Sequence, residues 1–356
     1  MARYTLTISP DYVSNWSVED AVRELLQNAI DQENLQKGNH KTISVEENCL
    51  IISNYKSVLE KSSLLMGGGT KDGSSTIGQF GEGYKVALLV LLREGYKVEI
   101  HNKGVNELWL PKLVNSRIYS TTVLAIDTYE YKVDQVSENN LDIVVYGITN
   151  SEEILKSIWL DYSESKEEIS VGKSTILLDK TEKGNIYIGG LRVANITHLT
   201  YGYNFGPGTL SVGRDRNVVG GYDLQIVLAT TWGQVELPEH LDLVYKLITD
   251  KVYDVEWLSS YRVGNKLGKY IINKNQGKTV VSSQEDVRAV KESLGAVVTE
   301  FVPTVIRDIV YNSLGSTGVV IKLRGADELL EDFISKYEDS LSEDMLEDLN
   351  KIKERL

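Results

Sequence analysis

Apolar positions recur with helical spacing in the first well-defined segment of the chain. Between residues 18 and 30 the apolar side chains fall three or four positions apart, which predicts an amphipathic helix. Ser17 precedes this stripe and Asp20 follows three residues later, a pattern that is typical of a capped helix start. The segment 83–93 is apolar on nearly all sides, so it is predicted to be a buried helix.

Other segments carry the pattern of strands. The sequences KTISVEEN and CLIISN predict a strand pair with a turn at Glu47 and Asn48. Further strands are predicted at MARYTLTISPDY, YKVEIHN, NELWLPK, TTVLAIDTYEYK and LDIVVYGIT. The middle ones alternate polar and apolar residues, as half-buried antiparallel strands do. Helices that cover one face of such a sheet give an α+β fold.

The pattern divides the chain into three predicted domains. Residues 1–165 form the α+β domain, and the charged run DYSESKEEIS marks its end. Residues 166–235 are rich in strands. Residues 236–356 are mainly helical, with a small strand predicted at KTVVSS. They end in an acidic amphipathic helix that is predicted over ADELLEDFISKYEDSLSEDMLEDLNKIKERL.

Composition narrows the classes of function. The 356 residues include 51 acidic and 38 basic side chains, which gives a net charge of −13. Such a surface repels phosphate backbones and anionic lipid, so we expect neither nonspecific nucleic-acid binding nor membrane binding. Cys49 is the only cysteine and sits in an apolar run, which indicates core packing in a reducing compartment. Because the N-terminal segment lacks the apolar run of a signal peptide, we expect a cytoplasmic protein, and the composition is typical of a microbial or phage source.

The first predicted helix carries three polar residues in a line. Glu24, Asn28 and Asp31, within ELLQNAID, are spaced at i, i+4 and i+7. Their angular position predicts that they lie on the border between the buried and the solvated face, where a helix can present groups to a ligand. Taken alone, the same spacing also fits a solvated helix flank.

A glycine-rich segment, IGQFGEGYK, precedes the predicted buried helix. Gly78, Gly81 and Gly83 allow backbone N–H groups to approach a phosphate, and the start of the helix adds partial positive charge. The segment has neither the G-K-[ST] of a Walker A loop nor the preceding strand of a dinucleotide-binding fingerprint. Many glycine-rich turns only join two elements, so taken alone this segment fits both interpretations.

Taken in order, the two motifs resemble the GHKL superfamily, which includes gyrase B, heat-shock chaperones, sensor histidine kinases and MutL. In that superfamily an E-x-x-x-N-x-x-D helix is followed by a strand hairpin, a mobile lid and a glycine box, and STIGQFGEGYKVALL is similar to the chaperone version of the box. The resemblance covers about residues 1–165. It implies a Bergerat-type α/β sandwich, an antiparallel sheet with helices on one face, that binds ATP and Mg²⁺.

The resemblance implies roles for individual residues. Glu24 matches the general base that polarises the water attacking the γ-phosphate. Asn28 matches the ligand of Mg²⁺, and Asp31 matches an acidic residue on the adenine and ribose side. The backbone amides that face the phosphates are expected at Gly78, Gln79, Gly81, Glu82, Gly83 and Tyr84.

The segments that correspond to the lid and to the adenine site match the family pattern less closely. Residues 67–73 match the lid, and Lys71 and Lys85 fit either phosphate partners or ordinary solvated lysines. The family's next box carries an aspartate, in D-x-G-x-G, that accepts a hydrogen bond from the adenine amino group. Here Ser53 stands where that aspartate is expected. Asn54, or Ser53 through a water, can accept from the same group, although more weakly than a carboxylate, so base selectivity is open.

A second basic motif follows in the strand-rich domain. Arg214 and Arg216 alternate in GRDRN after the predicted strand TLSV. Clamp-type GHKL proteins send a basic residue from a second domain to the γ-phosphate, and these arginines are the candidates for that role. The same residues fit a salt-bridged strand end together with Asp215.

Two functions follow from the resemblance. The first is a Mg²⁺-dependent ATPase or ATP-gated conformational switch, which hydrolyses ATP to ADP and phosphate. The second is a non-hydrolysing nucleotide-binding or protein-inhibitor module that keeps the fold, a hypothesis motivated by the missing aspartate. The resemblance also implies a nucleotide-dependent homodimer through the N-terminal strand. The apolar side of the C-terminal helical region suits a protein partner or packing on its own chain.

Overall fold

The computed structural model describes most of the chain, and its fold class is α+β, as the sequence predicts. The described residues are 1–36, 38–65, 82–130, 140–162, 167–210, 221–259, 263–275, 278–294, 298–314, 326–337 and 341–353. They form two compact units, Met1–Val227 and Leu228–Leu356. None of the described helices combines the length and apolar character of a bilayer-spanning segment.

The helices and strands are numbered in chain order. The helices are α1 (Val18–Leu35), α2 (Gly83–Arg93), α3 (Ser151–Ile158), α4 (Gly221–Gly233), α5 (Pro238–Thr249), α6 (Asn265–Lys274), α7 (Gln284–Leu294), α8 (Thr304–Leu314), α9 (Ala326–Tyr337) and α10 (Glu343–Lys353). Short 3-10 helices lie at Lys61–Leu64, Lys103–Val105, Leu160–Tyr162, Lys180–Glu182 and Tyr253–Val255. The strands are β1 (Ala2–Thr5), β2 (Lys41–Glu46), β3 (Cys49–Tyr55), β4 (Lys97–Asn102), β5 (Glu107–Ser116), β6 (Thr121–Glu130), β7 (Asn140–Tyr146), β8 (Glu168–Val171), β9 (Ser174–Leu177), β10 (Asn185–Ile188), β11 (Leu191–Asn195), β12 (Gly202–Phe205), β13 (Thr279–Val281) and β14 (Thr299–Phe301).

Among the described residues, seven strands form an antiparallel sheet in the order β1-β6-β5-β4-β7-β3-β2. Helices α1 and α2 pack against each other and against β3, β4 and β5. One face of each amphipathic element is buried here, and each large apolar side chain contributes about 1.5–3 kcal/mol to folding. The fully buried side chains of this core include Leu25, Leu26, Leu50, Ile52, Leu88, Leu91, Ile100 and Trp109.

Helix α1 begins as the sequence predicts. The Ser17 side chain accepts a hydrogen bond from the Asp20 N–H at 3.2 Å, and the Asp20 carboxylate accepts one from the Ser17 N–H at 2.9 Å. This reciprocal pair satisfies two backbone donors that the helix itself leaves open. The residue at which α1 begins is therefore fixed by this pair. The directions of the polar side chains further along the helix follow from that starting point.

A second sheet follows within the first unit, with strand order β11-β10-β12-β9-β8. Helix α3 contacts both α1 and β11. Arg23 of α1 also reaches this sheet, since its Nη1 donates to the backbone oxygen of Arg192 on β11 at 3.4 Å. The Arg192 guanidinium in turn lies 3.6 Å from the Glu19 carboxylate. Burial lowers the pKa of Arg23, and Asp20, at 3.1 Å, supplies its counter-charge.

The C-terminal unit differs from the prediction at its end. The strand predicted at KTVVSS is present as β13. It pairs in parallel with β14, which follows α7 in the chain. The prediction of a single long terminal helix is wrong, because α9 ends at Tyr337 and α10 begins at Glu343. The Ser342 hydroxyl accepts from the Met345 N–H at 3.3 Å and so caps a new helix start.

Asp127 is a buried carboxylate of β6 that is held by cations from both neighbouring strands. Arg3 on β1 donates to its two oxygens at 2.7 and 3.1 Å, and Lys112 on β5 forms a second ion pair. The hydrogen bonds from Arg3, followed by those from Lys112, lower the pKa of Asp127 from 3.8 to about 2. A carboxylate with a lowered pKa stabilises the folded state above its unfolded pKa, and this stabilisation is lost as the pH falls through the folded pKa.

We therefore expect Asp127→Asn to lower the free energy of unfolding at pH 7 by about 1–2 kcal/mol, a value reduced for the solvent exposure of Arg3. The difference from the wild type should shrink between about pH 4 and about pH 2. Urea denaturation over a pH series measures it, with the exposed Asp11→Asn as the control. A difference that stays constant over that range would contradict this account of Asp127.

Candidate functional site

The start of α2 lies directly against the polar line of α1. Gly83 is the first residue of α2, and a Cβ atom at that position would lie 1.9 Å from Glu24 Oε2 and 3.8 Å from Asn28 Nδ2. Any side chain there would collide with the carboxylate, so the close approach depends on glycine. The fold thus brings together Glu24 and Gly83, which lie 59 positions apart in the sequence.

Two of the three polar residues of α1 are buried more deeply than the sequence predicts. Glu24 and Asp31 are 1% and 0% exposed, whereas Asn28 is half-buried. The predicted position at the border of the apolar face is wrong for both carboxylates, and a solvated helix flank is excluded for them. Burying a carboxylate is costly unless its charge is compensated, and Glu24 lies beside the positive N-terminal end of α2.

Asn28 is oriented by its own helix. Its Nδ2 donates to the Glu24 backbone oxygen at 2.7 Å. The other polar atom of the side chain, Oδ1, is an oxygen donor of the kind that Mg²⁺ prefers. Among the described residues, no three His, Cys, Asp or Glu side chains are grouped as metal ligands.

Strand β3 presents Asn54, and not Ser53, to α1. Asn54 Nδ2 donates to the backbone oxygen of Ala29 in α1 at 2.9 Å. Leu50 and Ile52 of the same strand lie in the core. Because side chains alternate along a strand, Ser53 points to the opposite face of the sheet. The fold therefore brings Asn54 to α1 at Ala29, the residue after Asn28, and does not bring Ser53 there.

Asn54 belongs to a buried network that the sequence does not reveal. Its Nδ2 also donates to Asn39 Oδ1 at 3.2 Å, and Asn39 Nδ2 donates to Ser57 Oγ at 2.9 Å. All three side chains are buried. Asn39 and Ser57 are missed by sequence reasoning because each lies just outside a predicted strand, where polar residues are common.

Tyr84 and Lys85 attach the first turn of α2 to the 3-10 helix Lys61–Leu64. Tyr84 Oη donates to the Ser63 backbone oxygen at 2.9 Å, and Lys85 Nζ donates to the Ser63 and Leu65 backbone oxygens at 2.9 and 2.5 Å. Lys85 is fully buried, so its interpretation as a solvated lysine is wrong. Its ammonium contacts backbone carbonyls here. Burial lowers the pKa of Lys85 and raises that of Tyr84 to about 12.

No known protein-family profile matches the chain. The chain is similar to an uncharacterized protein of Mycoplasma pneumoniae, with 22% identity over 199 residues. The match covers 54% of this chain and 79% of that protein. The name of this relative states no activity.

The remaining predicted site residues are only partly within the described chain. Glu82 is described as the half-buried residue before α2, and its backbone oxygen accepts from the Lys85 and Val86 N–H groups at 3.1 and 3.2 Å. The predicted residues that lie outside the described ones are Gly78, Gln79, Gly81, the lid 67–73 with Lys71, and Arg214 and Arg216.

Proposed function

We propose that the Met1–Val227 unit binds Mg²⁺-ATP where α1 meets the start of α2, and that it hydrolyses the nucleotide. The observation that carries this proposal is the contact of Gly83 with Glu24 and Asn28. The GHKL resemblance implies that the glycine box and the acidic helix border the same phosphate site, and Gly83 lies next to Glu24 and Asn28 here. The antiparallel sheet with α1 and α2 packed on it is consistent with a Bergerat-type sandwich.

The base end of the nucleotide is proposed to lie at Asn54. In the D-x-G of the family's box, a glycine stands two residues after the aspartate. Lys56, two residues after Asn54, has φ +55°, a left-handed conformation that favours glycine. This supports Asn54, and not Ser53, as the counterpart of the aspartate. Asn54 meets α1 at Ala29, five residues and about 7.5 Å along the helix from Glu24.

The residues of the site suit phosphate hydrolysis. Glu24 accepts the proton of a water whose oxygen attacks the γ-phosphorus, while the bond to the bridging oxygen breaks and ADP leaves. The backbone N–H groups at the start of α2 and its partial positive charge stabilise the phosphate oxygens. Asn28 Oδ1 suits a Mg²⁺ ion, which when bound neutralises charge on the phosphates.

Calorimetry with ATP, in the presence and absence of Mg²⁺, tests the proposal together with a phosphate-release assay. We expect Mg²⁺ to strengthen ATP binding. In the presence of Mg²⁺, Asn28→Leu should weaken ATP binding about tenfold, because an oxygen ligand of the ion is lost. Asn115→Leu, on the exposed β5–β6 hairpin, is the control. No ATP binding at millimolar concentration would reject the proposal. Binding without phosphate release would favour the non-hydrolysing module.

A further inference from the structure

The side-chain amide of Asn54 is held in one orientation by the Ala29 backbone oxygen, which can accept a hydrogen bond but cannot donate one. A side-chain amide can exchange its oxygen and nitrogen by rotation, so its direction is decided by its hydrogen-bond partners. Here one partner is the Ala29 backbone oxygen, 2.9 Å from Nδ2, and a carbonyl only accepts. With Oδ1 in that place, two acceptors would face each other at hydrogen-bond distance. The nitrogen of Asn54 therefore points to α1.

Asn39 uses the second proton of the same nitrogen. Its Oδ1 accepts from Asn54 Nδ2 at 3.2 Å, and its own Nδ2 donates to Ser57 Oγ at 2.9 Å. Both protons of Asn54 Nδ2 are thereby occupied, one by the Ala29 backbone oxygen and one by Asn39 Oδ1, and Asn39 in turn donates to Ser57 Oγ. All three side chains are buried, where an amide turned the wrong way costs more than in water.

These contacts also explain the chemistry of position 54. A carboxylate there would direct an oxygen at the Ala29 carbonyl, which can only accept. An amide meets that carbonyl with a donor and keeps one oxygen for another partner. The surroundings of Asn54 therefore require an amide where the GHKL box has an acid.

We infer that Asn39 is a positioning residue that fixes Asn54 as a pure hydrogen-bond acceptor. Resting on the proposed function, this assigns the site a nucleobase with an amino group on the edge that meets Asn54 Oδ1, and it disfavours a base with a carbonyl there. A keto group would place an oxygen against Oδ1, and relieving that contact by rotation would break two hydrogen bonds to Nδ2. Base selectivity is thus set in part by Asn39, which contacts Asn54 and not the base.

The test compares ATP with GTP, both with Mg²⁺, in competition binding to the full chain. We expect ATP to bind about tenfold more tightly, and Asn39→Leu to reduce that ratio by about threefold or more. Asn39→Asp keeps an acceptor for Asn54 Nδ2 and should restore the ratio. Ser57→Ala is the matched control, because it removes a buried hydrogen bond without touching Asn54, and it should leave the ratio unchanged.

A second measurement needs no nucleotide. In spectra of Asn-labelled protein, the side-chain NH₂ signals of Asn54, assigned by their loss in Asn54→Ala, should both be protected from exchange with water. In Asn39→Leu one of the two should lose its protection. Equal ATP and GTP affinity in the wild type, equal ratios in Asn39→Leu and Asn39→Asp, or an unprotected Asn54 NH₂ would each overturn the inference. Protected signals without binding of either nucleotide would reject the proposed function and retain the role of Asn39 in orienting Asn54.

Discussion

Replacing Glu24 with glutamine is expected to lower the rate of ATP hydrolysis by about 10²–10⁴-fold, the usual contribution of a general base. The amide keeps the size of the side chain against Gly83 but cannot take a proton from water. ATP affinity should change by less than about threefold, because the base acts in the transition state and not in binding. Single-turnover phosphate release and calorimetry measure the two quantities separately.

The control for this variant is Glu19→Gln, which changes an acidic residue of the same helix that is about half exposed and pairs with Arg192. It should leave turnover within about twofold of the wild type, since surface ion pairs contribute little. Turnover that survives in Glu24→Gln would show that another group activates the water. It would leave the nucleotide site in place and remove Glu24 from the chemistry.

A methyl group on Gly83 should reduce turnover by about 100-fold or more, because misplacing reacting groups by about 1 Å costs that much. The new Cβ would lie 1.9 Å from Glu24 Oε2, so the buried carboxylate has to leave its position or α2 has to move away from α1. We also expect ATP binding to weaken, and the free energy of unfolding to fall by about 1–3 kcal/mol through overpacking.

Gly221→Ala separates this collision from the general effect of alanine in a helix. Gly221 is the first residue of α4, as Gly83 is of α2, and a Cβ atom there would have no neighbour within 4 Å. Alanine favours helix by up to about 1 kcal/mol over glycine, so this control should be neutral or stabilising. If Gly83→Ala behaves like Gly221→Ala in denaturation, binding and turnover, the close approach of Gly83 and Glu24 is not needed for ATP binding or hydrolysis.

Local elements of the fold could be predicted where the pattern of the sequence is unambiguous. The capped start of α1 and both ends of α2 agree with the sequence, as does the β2–β3 hairpin. The order of strands in the large sheet could not be predicted, because β7 pairs with both β3 and β4, and alternation in one strand does not identify its neighbour.

The facing of the side chains of β3 could not be predicted for a different reason. β3 begins with four apolar residues, CLII, so alternation does not tell which positions face the helices. An error of one residue selects Ser53 instead of Asn54 as the residue that faces α1. The burial of Lys85 was equally hidden, because its partners are the backbone carbonyls of Ser63 and Leu65, which leave no trace in the sequence.

Arg23 and Glu24 are adjacent on α1 but serve different neighbours. Arg23 is anchored to the second sheet at Arg192, while Glu24 contacts the start of α2. Because both residues belong to the same helix, a rotation of α1 that moves the Glu24 carboxylate away from Gly83 also displaces the Arg23 side chain from Arg192. We therefore expect a displacement of β11 in the second sheet to be transmitted through α1 to the start of α2.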